Sequence, residues 1–218
     1  MTGTQKVKRV SWRRIEAIES IISKDDFAVL AKYRARRNYA IGFTSGDVAG
    51  VTKSTSDAYD VMLKLGLAFT AAELLSTVTG QKNSLGIKSE AFARALNQGR
   101  FDKLLQGIEA DHLRRYPKSS PNQLNKWQSA TAKTDLTGLV SQFRNYMFHG
   151  SFSPTESGLA KSKALRDLVL NLSNQTIESC EMALDNWLKS KSSKIVEKSG
   201  PDTRLNAQLR KTSSEKTR

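Results

Sequence analysis

The segment from 143 to 150 contains three residues whose types and spacing suit phosphate chemistry. Arg144 is followed directly by Asn145, and His149 comes five residues after the arginine. A histidine, with an ordinary pKa near ~6.5, can take a proton from the 2′-hydroxyl of RNA or give one to the leaving 5′-oxygen. An arginine can hold the phosphate and stabilise the charge of the pentacoordinate state. The trio predicts cleavage of an RNA phosphodiester, with Asn145 orienting the histidine or the phosphate.

The same residues also have an ordinary structural explanation, which the sequence leaves open. Arg144 would be a solvated charge on a helix, and His149 would cap the helix C-terminus, where the helix dipole favours a cation. Gly150 follows at the position where a left-handed residue often ends a helix.

Other kinds of chemistry find little support in the sequence. The chain has one cysteine, Cys180, and two histidines, which excludes a disulfide within the chain and a multi-cysteine zinc site. The segment Gly80–Gly86 fails as a phosphate-binding loop, because five residues separate its glycines and no Gly-Lys-Ser/Thr follows. We therefore expect no metal and no cofactor.

A second segment has the composition of a nucleic-acid contact. Residues 32–39 interleave cations with two tyrosines, which suits phosphate contacts combined with base stacking. The cations predicted to bind nucleic acid are Lys32, Arg34, Arg36 and Arg37. The alternative is a charged helix face with half-buried tyrosines.

The elements that position these residues are predicted to be helices throughout. Apolar residues recur at three-to-four spacing, and no alternating strand pattern of useful length occurs. The fold class is therefore all-α, an up-and-down bundle of about five to seven helices with a basic disordered C-terminal tail. The predicted helices cover about 12–22, 25–39, 56–78, 89–97, 101–116, 135–148 and 158–190, with Ser11, Thr55 or Ser56, and Thr134 or Asp135 among the expected caps.

The charge is concentrated at the two ends of the chain. The net charge is +14, of which residues 1–40 and 189–218 each contribute +6. Basic ends attract polyanions such as RNA through counterion release, although such tails are often only solubilising. The sequence divides into basic N-terminal helices (1–54), a helical core (55–190) and a disordered basic tail (191–218). The best apolar run, Leu63–Leu75, is interrupted by charges, and no signal peptide is evident, so we expect a cytoplasmic protein without a membrane span.

The motif resembles the signature of the HEPN superfamily. These domains are helical bundles, and many are metal-independent ribonucleases whose pattern is an arginine, usually a polar residue, and a histidine after four to six intervening residues. Arg144, Asn145 and His149 match it with four. The resemblance covers about residues 55–190 and implies an endoribonuclease, a composite cleft in a homodimer, and a toxin or defence role with an antitoxin or regulatory protein as partner. Family nucleases often add polar residues from an earlier helix; Glu73 and Asp60 are possible counterparts, but no motif selects either.

Two non-enzymatic hypotheses remain beside the nuclease. The chain would be a helical module that binds nucleic acid through its basic ends, or a protein-interaction bundle whose charge only aids solubility. On a continuous helix Arg144 and His149 point about 140° apart, so the nuclease needs either a helix end near Phe148 or a two-fold dimer.

Overall fold

The computed structural model describes residues 9–44, 46, 50–80, 85–118 and 127–199, and these ranges contain seven α-helices and no strand. This confirms the all-α bundle. The helices are α1 (Trp12–Glu16), α2 (Lys24–Gly42), α3 (Lys53–Thr79), α4 (Glu90–Asn97), α5 (Asp102–Arg115), α6 (Thr137–Phe148) and α7 (Lys163–Ser199), with a short 3₁₀ helix at Glu19–Ile21.

Several helix ends differ from the prediction. The first predicted helix is broken after Glu16 into α1 and the 3₁₀ turn. Helix α3 begins earlier than expected, because the Thr52 hydroxyl accepts the Thr55 amide at 3.3 Å and caps it. Helix α7 begins later than predicted, at Lys163, and extends past the predicted helix end at 190 to Ser199, into the first part of the predicted tail. The rest of that predicted tail, 200–218, lies outside the described residues.

Helix α3 forms the centre of the bundle and packs against α2, α6 and α7. Its neighbours bury it on several sides, as the broad apolar stripe in its sequence predicts. Its buried residues are Ser56, Ala58, Val61, Met62, Leu65, Gly66, Ala68, Phe69, Ala71, Ala72 and Leu75.

By length and composition, α3 is the one helix among the described residues that could cross a membrane, with a mean hydropathy of 1.5 over its most apolar window. Lys64 and Glu73 do not lower the mean hydropathy enough to exclude the helix by this criterion, which the core helix of a soluble protein also meets. Half of that window, 50%, is buried inside the bundle, where it contributes to the protein core.

The directions of the helices follow from contacts near their ends. Helices α5 and α6 run the same way, because Gly107 lies against Tyr146 and Arg114 bonds Ser151, just after α6. Helices α3 and α7 are also parallel, with Asp57 near Arg166 at one end and Leu75 in a shared cluster with Leu184 at the other. The C-terminal ends of α5 and α6 thus lie side by side.

The N-terminal helices share an apolar core with α3 and α7, and a buried polar network also joins them to α7. Glu181 of α7 is 3% exposed and accepts hydrogen bonds from the Tyr33 hydroxyl at 2.6 Å, from Arg37 Nη1 at 2.9 Å and from the Val10 amide. Burial raises the pKa of Tyr33 well above its usual value, which keeps its hydroxyl a donor. A second ion pair joins Arg14 to Asp185 at the surface.

Candidate functional site

Helix α6 positions the Arg-Asn-x₃-His motif. Leu139, Val140, Phe143 and Tyr146 are buried and fix one face of the helix in the core. The helix ends at Phe148, His149 is its C-cap residue, and Gly150 follows with φ of 71°, in the left-handed region that favours glycine. The predicted end of the helix is confirmed, and it places His149 in the turn after the last helical residue.

The Arg144 side chain lies between α6 and α3, and 24% of it is exposed. Its Nη2 donates to Glu73 Oε1, and its guanidinium carbon lies 5.5 Å from the centre of the Phe69 ring. Its Nε is buried and has no hydrogen-bond partner. An arginine held in this way is oriented by a carboxylate and an aromatic face while part of its donor capacity is unused.

Asn145 is half-buried and His149 is exposed. The His149 backbone amide donates to the Asn145 carbonyl at 3.0 Å, which closes the last turn. Within the described ranges, neither side chain has a hydrogen-bond partner. Both are therefore available to a ligand.

Next to His149, a buried carboxylate organises the chain after α6. Asp111 of α5 is 4% exposed and accepts hydrogen bonds from Ser151 at 2.7 Å, from Arg114 at 2.8 Å and from Arg115. Burial alone would raise the pKa of Asp111, but the bonds from Ser151 and Arg114 and the charge of Arg115 outweigh it and lower the pKa. Arg114, which is 67% exposed, also donates to Ser151 at 2.8 Å. The network thus places the exposed Arg114 guanidinium against Ser151, which follows His149 by two residues.

The four cations predicted on α2 do not share one surface. Lys32 and Arg36 are exposed and lie one turn apart on the outer face of the helix. Arg34 is exposed on another side, with its guanidinium 4.8 Å from the centre of the Trp12 ring. Arg37 is only 7% exposed and pairs with Glu181, so its predicted role in binding nucleic acid is wrong. A buried charge of this kind is already neutralised inside the fold.

The structure selects one of the two possible counterparts and adds a residue that sequence reasoning missed. Glu73 contacts Arg144 although it is 71 residues earlier, whereas Asp60, the other possible counterpart, belongs to the first half of α3. Asp111 is a charged residue at a buried helix position, and only its partners in the fold explain it. Among the described residues, no group of three or more His, Cys, Asp or Glu side chains has the arrangement of a metal site.

Comparison of the chain with family models, with curated proteins and with solved structures finds no match in any of the three. The resemblance to the HEPN superfamily therefore depends on the motif and on its position at the end of a helix.

Proposed function

We propose that this protein is a HEPN-like, metal-independent endoribonuclease. The observation that supports this best is that the C-terminal part of α6 carries both an oriented arginine and an exposed histidine. Arg144 is oriented by Glu73 and retains an unused donor, and the exposed His149 has a free side chain. A phosphate binder that is held in place and an accessible acid or base are the two groups that phosphodiester cleavage requires.

In the proposed reaction the 2′-oxygen of RNA attacks the adjacent phosphorus as a histidine removes its proton. The bond from phosphorus to the 5′-oxygen breaks, and a protonated group supplies the proton that this oxygen needs. The products are a 2′,3′-cyclic phosphate and a 5′-hydroxyl end. Arg144 would bind the non-bridging oxygens, whose charge increases in the transition state, and Asn145 would orient the phosphate or the histidine.

A site built by two copies of the chain is the second way to bring these residues together, beside the helix end at Phe148 that takes His149 out of the helix. Positions five apart on a helix differ by about 140° and by about 7.5 Å along the axis. A two-fold axis near the end of α6 would bring each Arg144 towards the partner's His149, because an isologous contact repeats both residues. Phe148 lies between the two residues in the sequence and is 50% exposed, so it supplies apolar surface for such a contact.

The decisive experiment is cleavage of end-labelled single-stranded RNA in EDTA. Arg144→Ala and His149→Ala should abolish cleavage. Arg94→Ala, an exposed arginine on α4, and His112→Ala, the chain's other histidine, are the matched controls and should cleave like wild type. Equal cleavage by all variants would point to contamination or another site and would contradict the proposal.

Sedimentation gives an independent measurement of the predicted homodimer. A species of twice the chain mass at micromolar concentration is expected. In a mixture of Arg144→Ala and His149→Ala proteins, activity should partly return, because a heterodimer carries one composite site with both residues intact. A monomer with full activity would contradict the two-copy site.

The second candidate function is non-catalytic binding of nucleic acid, and the exposed Lys32, Arg34 and Arg36 on α2 favour it. It predicts salt-dependent RNA binding that persists in His149→Ala, with no cleavage by any form.

Under the nuclease proposal, the protein would act as a toxin or defence component in the cytoplasm and would also have an antitoxin or regulatory partner. A pure protein-interaction bundle would show neither RNA cleavage nor RNA binding above background.

A further inference from the structure

The outer face of α2 carries a row of exposed residues that the motif at α6 does not use. At 100° per residue, Lys32, Arg36 and Tyr39 fall within about 60° of one another. All three are exposed, and Tyr39 is 63% exposed, the largest fraction for any large hydrophobic side chain in the described residues. The opposite side of α2, with Leu30, is buried against the bundle.

Beside Tyr39 the surface forms an open groove at the end of the helix. Ala35, Asn38 and Gly42 line it together with Tyr39 and the two residues that follow the helix. A Cβ built on Gly42 would meet nothing within 4 Å. Ala35 and Gly42 are small and leave space beside Tyr39. Asn38 adds to the lining an amide, which is both donor and acceptor.

We propose that this face of α2 binds single-stranded RNA, with Tyr39 stacking on a base and Lys32 and Arg36 contacting phosphates. This inference deepens the proposed function and depends on it for the choice of RNA, because it assigns the region of the substrate strand away from the cut. It also revises the set of four cations, since Arg37 is buried and Arg34 lies elsewhere.

The order of the groups along the helix fits a polyanion. Lys32 and Arg36 lie in the middle of α2, about 6 Å apart along the axis, whereas Tyr39 is in its last turn. The C-terminal end of a helix carries partial negative charge and disfavours phosphate, but it does not disfavour an uncharged base. Stacking on an exposed tyrosine tolerates any base, and the chain's net charge of +14 favours the approach of the strand.

The test measures binding by fluorescence anisotropy in a His149→Ala background, so that the RNA stays intact. The probe is a short labelled single-stranded RNA, compared with an abasic strand of the same length. Tyr39→Ala should weaken binding of the normal strand about 5- to 150-fold and leave the abasic strand unaffected, and Tyr39→Phe should retain affinity. Tyr116→Ala, which removes another exposed tyrosine, is the matched control and should have little effect.

The cations are tested through the salt dependence. Lys32→Ala with Arg36→Ala should reduce the slope of log affinity against log salt by about 1.4, since each phosphate contact on a single strand contributes about 0.7. The control pair, Arg94→Ala with Lys103→Ala, removes two exposed cations elsewhere and should leave the slope unchanged.

The outcomes separate this inference from the nuclease proposal. Equal loss of affinity for normal and abasic strands in Tyr39→Ala, or no loss for either, overturns the stacking site. Duplex RNA that binds as tightly as the single strand, with equal dependence on Tyr39, also overturns it. Wild-type protein that cuts no RNA but loses affinity in Tyr39→Ala as described refutes only the nuclease.

Discussion

The buried network around Glu181 allows a prediction about stability whose size follows from the structure. Glu181→Ala removes the partner of Arg37 while leaving that guanidinium 7% exposed, and it removes the acceptor for the Tyr33 hydroxyl. Breaking a buried ion pair on one side typically costs about 3–5 kcal/mol, because the remaining charge stays buried without compensation. We expect the free energy of unfolding to fall by about that amount.

For a chain of this size, about 3–5 kcal/mol corresponds to a decrease in Tm of roughly 6–20 °C. The assay is urea unfolding followed by circular dichroism, with a thermal melt in parallel. Glu90→Ala is the control, because its ion pair with Arg94 is exposed on both sides and should change stability by about 0.5 kcal/mol or less.

A double-mutant cycle separates the pair from the other contacts of Glu181. Arg37→Met combined with Glu181→Leu removes both charges and fills similar volume, so the double variant should be more stable than the sum of the single changes implies. The Tyr33 hydroxyl still loses its acceptor, which leaves a residual cost of about 1–3 kcal/mol. A loss under ~1 kcal/mol for Glu181→Ala would refute the argument, because it would mean that Arg37 reaches water at little cost.

Three further predictions concern packing, burial and pH. A Cβ on Gly107 would lie 2.5 Å from the Tyr146 hydroxyl oxygen, so Gly107→Ala should reduce unfolding free energy by about 1–3 kcal/mol, whereas Gly42→Ala, which meets nothing, should not reduce it in the same denaturation assay. Burial raises the pKa of Cys180 to about 12, so a thiol reagent at pH 8 should label it only when the protein unfolds; fast labelling of the native protein would contradict its burial. Hydrogen bonds from Lys189 and Arg14 lower the pKa of Asp185 to about 2. The stabilising contribution of Asp185 is therefore present above pH ~4 and is lost as the pH falls towards 2. Asp185→Asn should remove that part of the acid dependence in melts measured from pH 5 to 2.

Much of the helical framework could be predicted, because helix ends depend on neighbouring residues. Ser89 caps α4 by accepting the Phe92 amide, and the predicted helix there starts within one residue of the observed one. Gly150 has the left-handed conformation expected after α6. The predicted C-terminal limit of α7 was less accurate, since its polar, lysine-rich end can continue a helix as well as leave it, and the sequence pattern does not distinguish the two.

The candidate site was only partly predictable for a related reason. The motif itself, with Arg144 and His149, could be recognised from the sequence. Glu73, which orients Arg144, could be named only beside Asp60 and not selected, because it comes from another helix and no local pattern connects it to the motif.

The case of Arg37 shows the same limit. It continues the buried series Leu30, Tyr33 and Ala40 on one side of α2, so its position indicates burial, but its charge argues for solvent. Only the presence of Glu181, 144 residues away, makes burial of that charge tolerable.

The sequence by itself thus determined the helices, the basic character and the Arg-Asn-x₃-His motif, because these depend on composition and on contacts within a few residues. The tertiary structure decided which charges are exposed, which are neutralised and what surrounds Arg144, because ion pairing and burial depend on residues distant in the chain.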